Sequence, residues 1–152
     1  MTARLDMADV APGALEAMDT LEDYVRESGL ESSLLELVKV RVSQINGCAF
    51  CIDMHTKDAR AGGEREQRLY ALDAWRETPF FSDRERAALA WGEAVTQVSG
   101  SRVPDAIYAE ARRHFNEREL VDLTVAVVAI NGWNRLAISF RSVPGAYEPT
   151  EG

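Results

Sequence analysis

The run Gly47-Cys48-Ala49-Phe50-Cys51-Ile52-Asp53-Met54-His55 holds the residues best suited to chemistry. On a helix, side chains three, four and seven positions apart share a face. If this run is helical, Cys48, Cys51 and His55 point the same way. Cys51 and His55 form an i,i+4 pair, close enough for an imidazole to take or share the thiol proton. Cys48 falls in the first turn after the break expected at Asn46-Gly47, where the positive end of the helix dipole favours a thiolate. A free cysteine has a pKa of about 8.5, and a helix N-terminus, Cys-x-x-Cys spacing and a neighbouring histidine each lower it. The thiolate is the nucleophile toward peroxide, so the spacing points to thiol redox chemistry. Cys51, with its imidazole at i+4, is the sulfur expected to attack and become a sulfenic acid. Cys48, one turn away, then condenses with it to a disulfide that an outside dithiol reduces. The reverse order, with Cys48 attacking, also fits the spacing.

Glu36 precedes Cys48 by twelve positions on the helix before it. If the two helices form a hairpin about Asn46-Gly47, an early residue of the first lies nearer the His55 end of the second. A carboxylate there could orient the imidazole and accept its proton. Ser33-Leu34-Leu35-Glu36 also reads as a capping box, which explains Glu36 without any chemistry. Two cysteines, one histidine and one glutamate would equally supply four zinc ligands. His114, the second histidine, has no recognisable partner, and Trp75, Trp91 and Trp133 read as core or interface residues.

These groups need helices to position them, and the punctuation marks helices throughout. Leu15, Met18, Leu21 and Val25 recur at helical spacing over residues 13–28, with Gly29 as the stop. Leu34, Leu35, Val38, Val42 and Ile45 form the next apolar stripe, up to Asn46-Gly47. A third helix runs from about Cys48 to Gly62-Gly63, and a fourth spans roughly 64–76. Ser82-Asp83-Arg84-Glu85 caps another helix, which ends near Gly100. Pro104 suits the first turn of the next. Asn116-Glu117-Arg118-Glu119 caps a long apolar segment, read as a buried helix because nothing else resembles a strand partner. The tail, 145–152, reads as loose. A shift of 85 positions lays residues 35–55 on 120–140, matching Leu35/Leu120, Val40/Val125, Val42/Val127, Ile45/Ile130, Asn46/Asn131 and Gly47/Gly132. The expectation is an all-α fold of about seven helices in one domain over 1–152. It pairs a redox-active hairpin core (31–62) with a similar second hairpin (117–141).

Composition narrows the class. The 152 residues are 46% hydrophobic and 28% charged, which fits a globular chain able to bury a core. A net charge of −8 and no dense Lys/Arg run disfavour nucleic acid and anionic membrane surfaces. No 18-residue apolar stretch stands out as a bilayer span. Residues 1–20 lack the basic-then-apolar order of a secretory signal. A cytoplasmic location is expected, where thiols stay reduced. A disulfide between positions 48 and 51 would close too small a loop to stabilise the fold much, so the pair reads as chemical rather than structural.

The segment from Leu37 to Arg60 resembles the core of the alkylhydroperoxidase AhpD-like proteins, within the carboxymuconolactone decarboxylase superfamily. That group carries a glutamate followed by Cys-x-x-Cys-x-x-x-His, and Glu36, Cys48, Cys51 and His55 match it in order and separation. Asn131-Gly132-Trp133-Asn134-Arg135 is similar to a second segment common in these proteins. The resemblance implies paired helical hairpins and peroxidase activity on hydroperoxides, with Cys51 attacking, Cys48 resolving, and Glu36 and His55 relaying protons. It implies homo-oligomers, often trimers or hexamers, and a separate dithiol or lipoyl-type reducing partner. No flavin, haem or metal cofactor is implied. One position departs: the peroxidase type carries a histidine immediately before the second cysteine, and here that residue is Phe50, which cannot relay a proton. The decarboxylase branch lacks the cysteine pair, so keeping both cysteines argues against lactone decarboxylation.

Overall fold

The computed structural model describes residues 1–150 and contains helices and no strand among them. In chain order the helices are α1 (Met7–Val10), α2 (Pro12–Arg26), α3 (Ser32–Asn46), α4 (Ala49–Ala61), α5 (Glu66–Tyr70), a 3-10 helix (Leu72–Glu77), α6 (Asp83–Thr96), α7 (Val98–Ser101), α8 (Asp105–His114) and α9 (Glu117–Phe140). The count exceeds the expected seven for two reasons. Single-turn helices form at each of α1 and α7. The segment over 64–76 divides at Ala71, which ends α5 and begins the 3-10 helix, and Ala74 within the latter leaves helical geometry.

α3 is the axis of the fold. Leu34, Leu35, Leu37, Val38, Val40 and Val42 are all buried, so the helix is covered nearly all round. It packs on α4, α6 and α9. On one side lies the main core, with Val25, Val38, Val42, Phe115, Leu123, Val127 and Ile130. On the other, Leu37 and Val40 meet Leu69, Leu72, Trp75 and Leu89. Burying a Leu or Val side chain fully contributes about 1.5–3 kcal/mol, so this double coverage makes α3 the most anchored element. Gly92 allows α6 to approach closely: a Cβ there would lie 3.4 Å from Val38 Cγ1.

α3 and α4 form the expected hairpin. Gly47 sits at φ +71°, the left-handed region that favours glycine, and ends α3. The next amide, of Cys48, donates to the Ser43 carbonyl at 3.0 Å. The capping boxes at Ser82/Glu85 and Asn116/Glu119 are both formed.

The second hairpin over 117–141 is not formed. α9 runs unbroken through Asn131 and Gly132 to Phe140. Gly132 keeps helical dihedrals and serves packing instead, since a Cβ there would come within 2.9 Å of Met18 Cε on α2. The two repeat copies nonetheless face each other, for Asn46 Nδ2 donates to Asn131 Oδ1 at 2.9 Å. α9 is also long and apolar enough for a bilayer span by length and composition, with mean hydropathy 1.3 over an 18-residue window, contrary to the reading of the sequence. It is a core helix here, with Leu123, Ala126, Val127 and Ile130 buried against the bundle.

The tail is not loose over its first residues. The Gly145 amide donates to Asp53 Oδ2 at 3.0 Å, Lys57 Nζ donates to the Tyr147 carbonyl at 2.8 Å, and the Tyr147 hydroxyl donates to Asp58 Oδ1 at 2.6 Å. These bonds bind it to α4. Residues 151 and 152 of the expected loose tail lie outside the described residues.

Candidate active site

Cys48 is the N-cap of α4, placed there by the left-handed turn at Gly47. Its sulfur accepts the Cys51 backbone N–H at 3.4 Å and lies 2.6 Å from the Cys51 sulfur. Both thiols are free and almost fully buried, at 1% and 4% exposure. The Cys51 thiol donates to Cys48 and, with the Cys51 N–H, the Asn134 side chain and the charge of His55, lowers the Cys48 pKa to about 7 against the opposing effect of burial. The Cys51 thiol is pushed up, because Cys48 holds its proton and burial disfavours a second anion. The two sulfurs thus titrate as a coupled pair. The spacing favoured Cys51 as the attacking sulfur; the lowered pKa falls on Cys48, at the helix N-terminus, where the Cys51 N–H faces its sulfur.

His55 lies on α4 with its Nδ1 2.9 Å from Glu36 Oε2. Among the described residues no hydrogen bond joins the imidazole to either sulfur, so the expected direct Cys51–His55 proton contact is not made. His55 acts on Cys48 through its charge. Burial pushes the Glu36 carboxyl up, yet the His55 hydrogen bond and the charges of His55 and Lys39 outweigh it and hold Glu36 below its ordinary value. Lys39, itself buried, lies 3.7 Å from Glu36 Oε1 and 3.4 Å from Glu22 Oε2. The capping box at Ser33 and Glu36 is absent: α3 starts two residues earlier than that pattern requires, at Ser32, with no side-chain cap. The Glu36 carboxylate is therefore directed to α4.

Three residues near the site went unnoticed in the sequence. Asp58 Oδ2 stands 3.9 Å from His55 Nδ1, and Tyr147 bonds to the same carboxylate. Asp58 follows His55 by three, so same-face spacing could have marked it. Asn134, fully buried on α9, bonds to Asn46 and Ser43 around the Cys48 turn. No local signal ties it to residues so far back. His114, read as unpartnered, lies 3.1 Å from Glu110 Oε1 on its own helix. Trp75 and Trp91 are buried and Trp133 is half-buried against the main core, while Phe50 packs against that core where the peroxidase type has its histidine.

A single four-ligand zinc site is not assembled. The groups whose ligand atoms gather within 4.8 Å of one another are Glu36, His55 and Asp58, without a sulfur. The site thus has two parts: a buried sulfur pair at the head of α4, and a carboxylate–imidazole group two turns along.

Residues 12–94 match the carboxymuconolactone decarboxylase family, a span that contains Glu36, Cys48, Cys51 and His55. The chain belongs to this family. It is 46% identical to the uncharacterized protein YdfG of Bacillus subtilis over 91% of this chain and 95% of that one. A shorter match, 38% identical over 31% of this chain and 26% of the relative, is to the alkyl hydroperoxide reductase AhpD of Bradyrhizobium diazoefficiens. Among solved structures, a protein of unknown function from Agrobacterium tumefaciens, for which an AhpD antioxidant-defence role has been suggested, superposes with a TM-score of 0.93. It is 44% identical, and the match covers 96% of this chain and all of that one. The fold is AhpD-like, and the family includes peroxide-reducing enzymes.

Proposed function

We propose that this protein is a thiol-dependent hydroperoxide reductase cycling between the Cys48/Cys51 dithiol and its disulfide. The observation that carries the proposal is the buried sulfur pair, 2.6 Å apart at the N-terminus of α4, with the Glu36–His55 pair further along the same helix. The Cys48 thiolate attacks the distal oxygen of the hydroperoxide. The O–O bond breaks, sulfur is oxidised to the sulfenic acid, and the alkoxide leaves and takes one proton to become the alcohol. His55, oriented through Nδ1 by Glu36, supplies that proton from its other nitrogen. The Cys51 thiol then condenses with the sulfenic acid, giving the disulfide and water. An external dithiol, a protein or a lipoyl-type group, reduces the disulfide by exchange through a mixed disulfide and is itself oxidised. No cofactor enters this cycle.

The order of attack follows the charge and so reverses the roles expected from spacing. A reducing cytosol suits the cycle. Exposed Val121 and Val128, two turns apart on α9, support assembly into a homo-oligomer; a trimer or hexamer is what the family resemblance implies.

One observation favours a second reading. Phe50 removes a proton-relay group, which suits a general thiol–disulfide oxidoreductase or a redox-sensing module with slow peroxide turnover. Steady-state peroxide consumption with a dithiol reductant separates the two. Trapping of sulfenic acid by dimedone then tests the order. The Cys51→Ser variant should accumulate a trappable Cys48 sulfenic acid, and Cys48→Ser should yield little. Disulfide exchange without peroxide consumption in the wild type would sink the reductase reading.

A further inference from the structure

We infer that Glu36, His55 and Asp58 form a binding site for a divalent cation of the zinc class, with one imidazole and two carboxylate ligands. Glu36 Oε2 stands 2.9 Å from His55 Nδ1, and Asp58 Oδ2 stands 3.9 Å from the same nitrogen. All three ligand atoms lie within 4.8 Å of one another. Zinc holds imidazole nitrogen and carboxylate oxygen at about 2.1 Å, so tetrahedral neighbours around it stand about 3.4 Å apart. The two distances to Nδ1 fall on either side of that spacing, and small side-chain rotations equalise them. The ligands sit on packed helices. His55 and Asp58 are three apart on α4 and share a face, and Glu36 meets them from α3 across the hairpin. Imidazole with carboxylate suits zinc and its first-row neighbours, and the set holds no sulfur, unlike the cysteine-containing set that the sequence suggests.

The surroundings also point to a cation. Each carboxylate is held by one oxygen and offers the other. The Tyr147 hydroxyl donates to Asp58 Oδ1 at 2.6 Å, and Lys39 Nζ lies 3.7 Å from Glu36 Oε1. Partners of this kind orient metal ligands. The negative charge is under-compensated. Lys39 is shared with Glu22 at 3.4 Å, and among the described residues no lysine or arginine pairs with Asp58. Glu36 and Asp58 also open onto a cavity of about 180 Å³, lined further by Ser32, Ser33, Gly62 and Glu64. That is far more than one water needs, so the cavity gives a cation a way in and room for the waters that complete its coordination. Coordination at Nδ1 requires that nitrogen without its proton. A bound cation and the Glu36–His55 hydrogen bond therefore exclude each other, and only the cation-free state leaves Glu36 to orient the ring. Binding itself does not rest on the thiol chemistry proposed above.

The test uses the full-length Cys48→Ser/Cys51→Ser protein, because thiols bind zinc and cobalt themselves. Co²⁺ is titrated in and followed by its visible ligand-field bands, and Zn²⁺ affinity is read from its displacement of Co²⁺. One cation should bind per chain. The imidazole ¹⁵N spectrum should show the His55 Nδ1 signal move with Zn²⁺ while the His114 signals stay. Tyr147→Phe in the same background removes the hydroxyl that holds Asp58 and leaves every ligand in place. It should weaken Zn²⁺ binding by about tenfold, and Asp58→Asn, which removes a ligand, should weaken it by more. Equal affinity in Asp58→Asn, or a His55 signal that stays put with Zn²⁺ in excess, overturns the inference. So does binding that His114→Ala abolishes, which would place the cation at the His114–Glu110 pair instead. If Asp58→Asn does not fold, Tyr147→Phe and the His55 signal still decide. Peroxide turnover enters none of these measurements, so this inference and the reductase reading fail separately.

Discussion

Glu36 Oε2 and His55 Nδ1 lie 2.9 Å apart, joining the early part of α3 to the second turn of α4. The contact exists because the two helices run antiparallel about Gly47, so a residue near the start of one meets a residue well along the other. It fixes the ring through Nδ1 and leaves the other nitrogen to move protons. Glu36→Gln keeps the shape and removes the charge. Peroxide turnover should fall by roughly a hundredfold, the low end of what positioned proton transfer contributes. Steady-state rates with a dithiol reductant check this, and a variant as fast as wild type would remove Glu36 from the mechanism.

The same carboxylate makes stability depend on acid. Glu36, Glu85 and Glu93 are all held below their ordinary value of 4.5 despite burial, by His55, Arg68 and Trp75 respectively together with further partners. A carboxyl with a depressed folded value contributes fully above the unfolded value. That contribution is lost as pH falls through the folded value. Melting temperature should therefore hold above about pH 5 and drop steadily below it. Glu36→Gln should flatten part of that drop in a pH series of thermal melts.

Alkylation should report the charge on Cys48. With its pKa lowered to about 7, the iodoacetamide rate should rise about tenfold per pH unit below that value and level off above it. Peptide mapping should find the label on Cys48. In Cys51→Ala the thiol donor is removed, and the midpoint should move up. Preferential labelling of Cys51 in the wild type would restore the roles that spacing favours.

Two glycines of the repeat should respond differently to alanine. Gly47, at φ +71° with open space around its Cα, resists a side chain through backbone strain alone, worth about 1–2 kcal/mol. Gly132 is helical, and an added Cβ meets only the mobile end of Met18. Gly47→Ala should lower stability in urea unfolding by about that amount, and Gly132→Ala by clearly less.

The Tyr147 hydroxyl donates to Asp58, and that bond, with burial and the Asp58 charge, pushes its pKa up to about 12. Titration followed at 295 nm should show one tyrosine ionising well above the ordinary 10.0. Asp58→Asn should bring it back toward that value. A wild-type titration without such a late tyrosine would mean that the tail is not held on α4 in solution.

Much of this was legible locally, and the reason is the range of the forces involved. The helical character, the capping boxes at Ser82 and Asn116, and the break at Gly47 follow from periodicity and short side-chain contacts within one turn. The grouping of Cys48 with Cys51 follows from helical spacing. Position in the bundle decided the rest. Gly47 and Gly132 sit in the same local pattern, but only the first turns the chain; α9 stays helical through Gly132, packed on α2. Ser33 and Glu36 look like a cap, yet Glu36 finds a better partner across the hairpin in His55. The Cys48 pKa is lowered and that of Cys51 raised because the Cys51 side chain and N–H both face the Cys48 sulfur across the first turn of α4. Asn134 and Tyr147 reach the site from far along the chain. The sequence by itself marked which residues are fitted to the chemistry. Only the tertiary structure decided which partners each of them meets, since the hydrogen bonds and desolvation of a buried group are set by neighbours that no local spacing encodes.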